Sequence, residues 1–191
     1  MAEVRHGPGL VRAAVLWACL ALPAVCAADW MAGPEDGELA YTAYYEGSPL
    51  PGRFRDYRVM VREGKDGAPA AIDVAVEVGS VTMSAGDIDE AIRAPDWFDV
   101  AGFPRASFSA ASVLPDGEGG YRARGLFTLK GATREIEVPL TWRQAADTIA
   151  MAGRVELKRL DFGIGTGEWS SGDEIGLDVV VEFRLTLRRQ P

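Results

Sequence analysis

Histidine, cysteine and clustered carboxylates are the side chains that most often carry nucleophilic or metal chemistry. The single histidine of this 191-residue chain, His6, and its two cysteines, Cys19 and Cys26, all fall in the first 28 residues. Residues 29–191 therefore hold no imidazole and no thiol. That part of the chain cannot build a Ser-His-Asp or Cys-His site, a disulfide, or a His/Cys zinc site. The carboxylates group in two places. Asp87, Asp89 and Glu90 lack the glycine and the terminal bidentate glutamate of a calcium loop, and they read as a solvated helix start. Asp96 and Asp99 have the spacing of an acid/base pair, but no nucleophile accompanies them, and capping of local backbone is the expected role. The run Gly163-Ile164-Gly165-Thr166-Gly167 has neither the spacing of a dinucleotide loop nor a following lysine, and reads as a connection between strands. Arg53, Arg55, Arg58 and Arg62 form a basic run. It is expected to be a solvated strand face paired with nearby acids, with a rim that meets an anionic head group as the functional alternative.

The elements that must position these residues follow from periodicity. Arg5 and Arg12 precede an apolar run over 13–25, broken by Pro23. Ala24-Val25-Cys26-Ala27-Ala28 then supplies small residues suited to cleavage. This is the pattern of a secretory signal peptide over residues 1–28, leaving one domain over 29–191 in the periplasm or outside the cell. A retained anchor is the alternative, although the run is short for a membrane span; a lipoprotein at Cys26 is disfavoured by the bulk of Val25. The formal charge is −8, and removal of Arg5, Arg12 and Glu3 with the leader leaves −9. Such an acidic chain is not expected to bind nucleic acid.

Alternating apolar and polar residues predict strands over 38–45, 54–61, 71–78 (continuing through 81–83), 106–113, 121–129, 135–142, 148–157 and 177–188, with a turn at 47–49. A short helix is expected over 87–93, capped by Asp87 and stopped by Pro95. Pro139 inside a strand implies an edge or a bulge. About eight long strands with turn-like connections and no βαβ spacing make an all-β, antiparallel fold. A closed barrel is favoured over a sandwich because closure removes long edges. Such a barrel has room for one small ligand where side chains do not fill it. Tyr41, Trp97, Phe98, Phe103, Phe108, Phe127, Trp142 and Phe162 are the candidate lining residues; core packing is the competing role for each.

The stretch Pro95-Asp96-Trp97-Phe98-Asp99-Val100-Ala101-Gly102-Phe103-Pro104-Arg105-Ala106-Ser107-Phe108 resembles the central signature of YceI-like proteins. The resemblance continues through Gly125–Arg134, Arg159–Gly165 and the closing strand from Gly176 to Leu187. It implies an eight-stranded, lipocalin-like antiparallel barrel with one short helix, exported by a bacterium and enclosing a polyisoprenoid or isoprenoid quinone. On that basis the chain is expected to be a binding protein and not an enzyme, with the bound lipid as ligand and no metal or other cofactor. A barrel that serves a partner such as a membrane cytochrome is a second expectation, and a lipid-modifying enzyme a third. The sequence leaves the oligomeric state open, a homodimer included. Where family members often carry a His-Ser pair before the first strand, this chain reads Glu35-Asp36-Gly37-Glu38, so head-group recognition is expected to differ.

Overall fold

The computed structural model describes residues 29–83, 86–117 and 119–190. The expected signal peptide lies outside the described residues, as does the expected cap at the Asp87 side chain. Eleven strands form one sheet: β1 (Asp29–Ala32), β2 (Gly37–Tyr45), β3 (Ser48–Phe54), β4 (Tyr57–Glu63), β5 (Pro69–Glu77), β6 (Val81–Met83), β7 (Arg105–Pro115), β8 (Gly120–Leu129), β9 (Ala132–Ala145), β10 (Thr148–Lys158) and β11 (Asp178–Arg189), with α1 (Gly86–Ala91) between β6 and β7. Every pairing is antiparallel. β1 pairs with both β4 and β11, which closes the sheet on itself.

The eleven strands make eight staves because six of them merge in pairs. β1 runs into β2, β3 into β4 and β5 into β6, and each pair breaks at the same level. The first break is a 3-10 turn at Pro34–Asp36. There Gly33 N donates to Asp36 Oδ2 at 3.1 Å, and Asp36 Oδ1 accepts from Arg188 Nε at 3.0 Å. The second break is Arg55-Asp56, whose amides donate to the Ser80 hydroxyl at 3.2 and 3.0 Å. The third is the 3-10 turn Val78–Ser80. Above this level β2, β3 and β6 lean away with β11, and β6 no longer meets β7. Helix α1 and residues 92–104 fill the resulting wedge. The Asp89 carboxylate accepts from Met83 N at 2.5 Å, and Arg93 donates to the carbonyls of Gly79 and Val81 at 3.2 and 2.9 Å. Side chains thus satisfy the open edge that β6 would otherwise present.

Three sequence expectations need correction. The turn after β2 is Glu46-Gly47, both at positive φ (46° and 76°), and Ser48 already begins β3. This two-residue form matches strand twist better than a longer turn. The prolines of β3, Pro49 and Pro51, face Tyr44 and Thr42 of β2, while β6 reaches only Gly52–Phe54, so both prolines lie along an unpaired edge. The strand β1, absent from the expectation, is four residues long and has its place through its two partners. The helix ends at Ala91, and Trp97, Phe98 and Asp99 continue as turns whose amides bond back to Ala94 and Ile92.

Inward positions follow the expected alternation. On β4 Tyr57, Val59 and Val61 are buried while Arg58 and Arg62 are exposed. Arg53, Arg55, Arg58 and Arg62 do form a solvated face, but among the described residues none of them makes an ion pair.

Candidate functional site

One end of the barrel is solid. Trp30, Val61, Ile149 and Leu187 are each 0% exposed. The Trp30 and Trp142 rings meet edge to face with centroids 6.5 Å apart, and the Arg189 guanidinium lies 4.6 Å above the Trp30 ring. Both indole N–H groups are satisfied: Trp30 Nε1 donates to Glu63 Oε2 at 2.9 Å and Trp142 Nε1 to Gly67 O at 3.1 Å. Aromatic bulk with a partner for each polar tip is the usual condition for burying tryptophan.

From this floor toward the other end, three apolar cavities run in file. The first, about 60 Å³, lies among Val59, Ile72, Leu140, Met151 and Phe108. The second, about 110 Å³, shares Leu39, Val74, Phe108, Val138 and Phe183 with the first and adds Ile136, Val155 and Leu157. The third, about 120 Å³, shares Val76, Phe127 and Leu157 with the second. It continues to Tyr41, Phe54, Ile92, Trp97, Phe98, Arg159, Phe162, Ile164 and Ile175. Among the described residues no polar atom faces any of the three.

The wall beside the second and third cavities is open in its backbone. β9 and β10 pair only as far as Leu140 with Gly153, although β10 stays on β11 up to Lys158 and β9 stays on β8 down to Ala132. Side chains alone close the wedge: Ile136, Val155 and Leu157, with Phe162 set edge to face on Phe127 at 5.1 Å. Pro139 sits where β9 loses its second partner, so its missing N–H removes nothing from the ladder.

Over the third cavity lie two loops, residues 92–104 and 159–177. Trp97 and Trp169 bring them together with centroids 5.9 Å apart. Gly165 N donates to Asp96 O at 2.8 Å, and Lys130 Nζ donates to Pro95 O at 2.6 Å and Gly163 O at 2.8 Å. Gly165 has φ +63°, and a Cβ there would stand 2.6 Å from Arg159 Nη1 and 2.9 Å from the Trp97 ring. Only glycine meets both demands. Asp99 accepts from Gly102 N at 3.3 Å, the local capping role expected of it.

Arg159 holds the second loop. It is 4% exposed, and its five N–H groups all donate to backbone carbonyls. Nε reaches Gly176 at 2.9 Å, Nη1 reaches Ile164 and Gly165 at 2.9 and 2.5 Å, and Nη2 reaches Ile175 at 2.9 Å and Trp169. Burial lowers its pKa. The fork geometry of a guanidinium suits such a cluster, which an ammonium with three donors could not satisfy.

Of the candidate lining residues, Tyr41, Trp97, Phe98, Phe127 and Phe162 come together around the third cavity, and Phe108 borders the first two. Phe103 and Trp142 stand elsewhere. Phe103 is 38% exposed and rests on Gly131 outside the barrel, and Trp142 belongs to the floor. Sequence reasoning passed over Arg159, Leu39 and Phe183. The last two were on inward faces of alternating strands, a signal present but shared with every core residue; Arg159 showed only as one letter of a motif.

A closed eight-stranded antiparallel barrel, filled at one end and hollow beneath two loops at the other, belongs to the lipocalin-like class of architectures. Comparison with known proteins makes this specific: the chain belongs to the YceI-like domain family, which it matches over residues 30–187. A UPF0312 protein of Shewanella denitrificans is 28% identical over 186 residues, covering 89% of this chain and 95% of that one. The crystal structure of BcnA from Burkholderia cenocepacia superposes with a TM-score of 0.75 at 25% identity, covering 78% of this chain and 95% of that one. A polyisoprenoid binding domain from Saccharophagus degradans gives a TM-score of 0.69 at 16% identity, covering 85% and 99%.

Proposed function

We propose that this protein encloses a long apolar lipid, a polyisoprenoid or isoprenoid quinone, and carries or stores it in the periplasm without altering it. The observation that carries this reading is the file of three apolar cavities along the barrel axis. A linear tail of branched five-carbon units fits such a file better than a compact ligand would. Each CH₂ taken from water contributes up to about 0.8 kcal/mol, so several units are held tightly with no charged or catalytic group. The YceI-like family and the polyisoprenoid binding domain of Saccharophagus degradans support the ligand class. The basic start and apolar run of residues 1–28 support export.

The test is direct. The mature protein is purified from its native host, extracted with organic solvent, and the extract identified by mass spectrometry. The expected result is a stoichiometric isoprenoid, chemically unchanged after long incubation with the protein. An empty protein with no affinity for added quinones or polyprenols overturns the proposal, and a lipid converted to a new product replaces it with an enzymatic one.

A further inference from the structure

Bordering the third cavity is one polar side chain whose bonding is unfinished among the described residues. Tyr41 is 6% exposed, its hydroxyl is buried, and among the described residues that hydroxyl has no hydrogen-bond partner. Its ring stands at right angles to Phe98 with centroids 6.4 Å apart and tilts against Phe54 at 5.6 Å. The ring tip lies over Gly52, its partner across the β2–β3 ladder, where any Cβ would overlap the phenol. The chain therefore gives up a side chain on β3 to place this hydroxyl beneath residues 92–104. Leaving a buried hydroxyl unpaired costs free energy that a phenylalanine would not incur.

The other polar side chain with a strong charge at this cavity is already committed. All five N–H groups of Arg159 are taken by carbonyls. Lys130, just above, donates to Pro95 and Gly163. A phosphate or pyrophosphate drawn into this end would be desolvated without a free cationic donor, or would have to dismantle the loop that Arg159 holds. A neutral oxygen needs only one donor.

Resting on the reading that the barrel holds an isoprenoid, we propose that Tyr41 is its head-group donor and that it selects a neutral head bearing one acceptor oxygen, a quinone carbonyl or a prenyl alcohol, over a polyprenyl phosphate. Reaching that oxygen requires the hydroxyl to be uncovered, since among the described residues no polar atom faces the cavity as it stands. Burial, with the nearby Asp89 carboxylate, raises the phenol's pKa, so the group remains a donor throughout the neutral and mildly alkaline range.

The test uses delipidated wild-type protein, Tyr41→Phe and Tyr57→Phe, titrated by tryptophan fluorescence with squalene and with a prenylated benzoquinone, a polyprenol and a polyprenyl phosphate of equal tail length. Tyr57 is the control because its hydroxyl is also buried and unpartnered but does not border the cavities. The wild type is expected to bind the quinone or the alcohol more tightly than the phosphate. In Tyr41→Phe the affinity ratio of that ligand to squalene falls about five- to tenfold, the worth of one hydrogen bond to a neutral acceptor. Whichever of the two ratios falls names the head. Tyr57→Phe keeps the wild-type ratios. The melting temperature of delipidated Tyr41→Phe is expected to equal or exceed that of the wild type. An unchanged ratio, an equal loss for squalene, a preference for the phosphate, or a lowered melting temperature showing the hydroxyl already paired within the protein overturns the assignment. Failure of all four ligands to bind the wild type overturns the isoprenoid reading itself.

Discussion

The two ends of the barrel use the same kinds of side chain to opposite effect. At the floor, Trp30 and Trp142 fill the interior, and each indole N–H has an acceptor. At the other end, Tyr41, Phe54, Phe98 and Phe162 surround open space, and the Tyr41 hydroxyl has no partner among the described residues. The floor is built from paired strands, with register shifts at Arg62/Glu63 and Ser109/Ser112. The roof is built from loops, pinned by Arg159 and Lys130 to backbone carbonyls. Aromatic content alone therefore does not tell a core from a chamber. What differs is whether polar tips are satisfied and whether aromatics from loops, here Phe98 and Phe162, join those carried on strands.

The largest expected effect lies in the floor. Trp30→Ala should destabilise the protein by about 3–5 kcal/mol through the cavity it leaves, read as a lowered denaturant midpoint, while lipid per folded molecule stays unchanged. Lipid loss in step with unfolding would support the contrast; selective lipid loss in the folded fraction would break it. Next is Arg159→Met, which orphans five carbonyls and should cost about 2–3 kcal/mol. Proteolysis should then cut within 163–176, and Arg159→Lys should not restore resistance. In the roof, Trp97→Ala should cost about 1–2 kcal/mol but release lipid about tenfold faster, a barrier change near 1.4 kcal/mol. Phe103→Ala, on the same segment but outside the barrel, should alter release far less, and equal effects would show that the segment acts as core throughout. The smallest effect is a pH dependence at Tyr57. Burial, with Asp36 and Glu38 nearby, pushes its pKa up to about 12 from 10.0. The unfolded chain loses that proton first, so this contribution to stability falls as pH rises from about 10 to about 12. Melting curves of Tyr57→Phe should show a shallower decline than the wild type over that window.

Much of this arrangement was legible in the sequence, for identifiable reasons. β11 alternates from Val181 to Leu187, and Ile72, Val74 and Val76 share one face of β5, so most of their inward positions were legible from pattern. The end of the helix before residues 92–104 was legible from Pro95. β3 was hidden because Gly47-Ser48-Pro49 read as a turn and Pro51 follows closely, until the unpaired edge beside the two prolines is known. β1 was hidden because four residues carry no period of their own. The division of aromatics between floor and roof depended on which strands stay paired, as the parting of β9 from β10 above Gly153 shows, and no local pattern encodes that. The stretch Glu35-Asp36-Gly37-Glu38, expected before the first strand, lies instead at its bend, with Asp36 tied to Arg188.

The pairing of β1 with β11 also governs the order in which the molecule can assemble. Trp30 meets Arg189 across nearly the full length of the chain, whereas most other ladders join neighbours in sequence. Closure of the longest loop is deferred until the local hairpins exist to offset its entropy. Until the last strand arrives the interior is an open, curved sheet whose apolar face any tail can reach from the side. Removal of residues 29–32 should therefore slow the final folding phase more than the early ones, leaving a gap between β4 and β11 at the floor of the barrel.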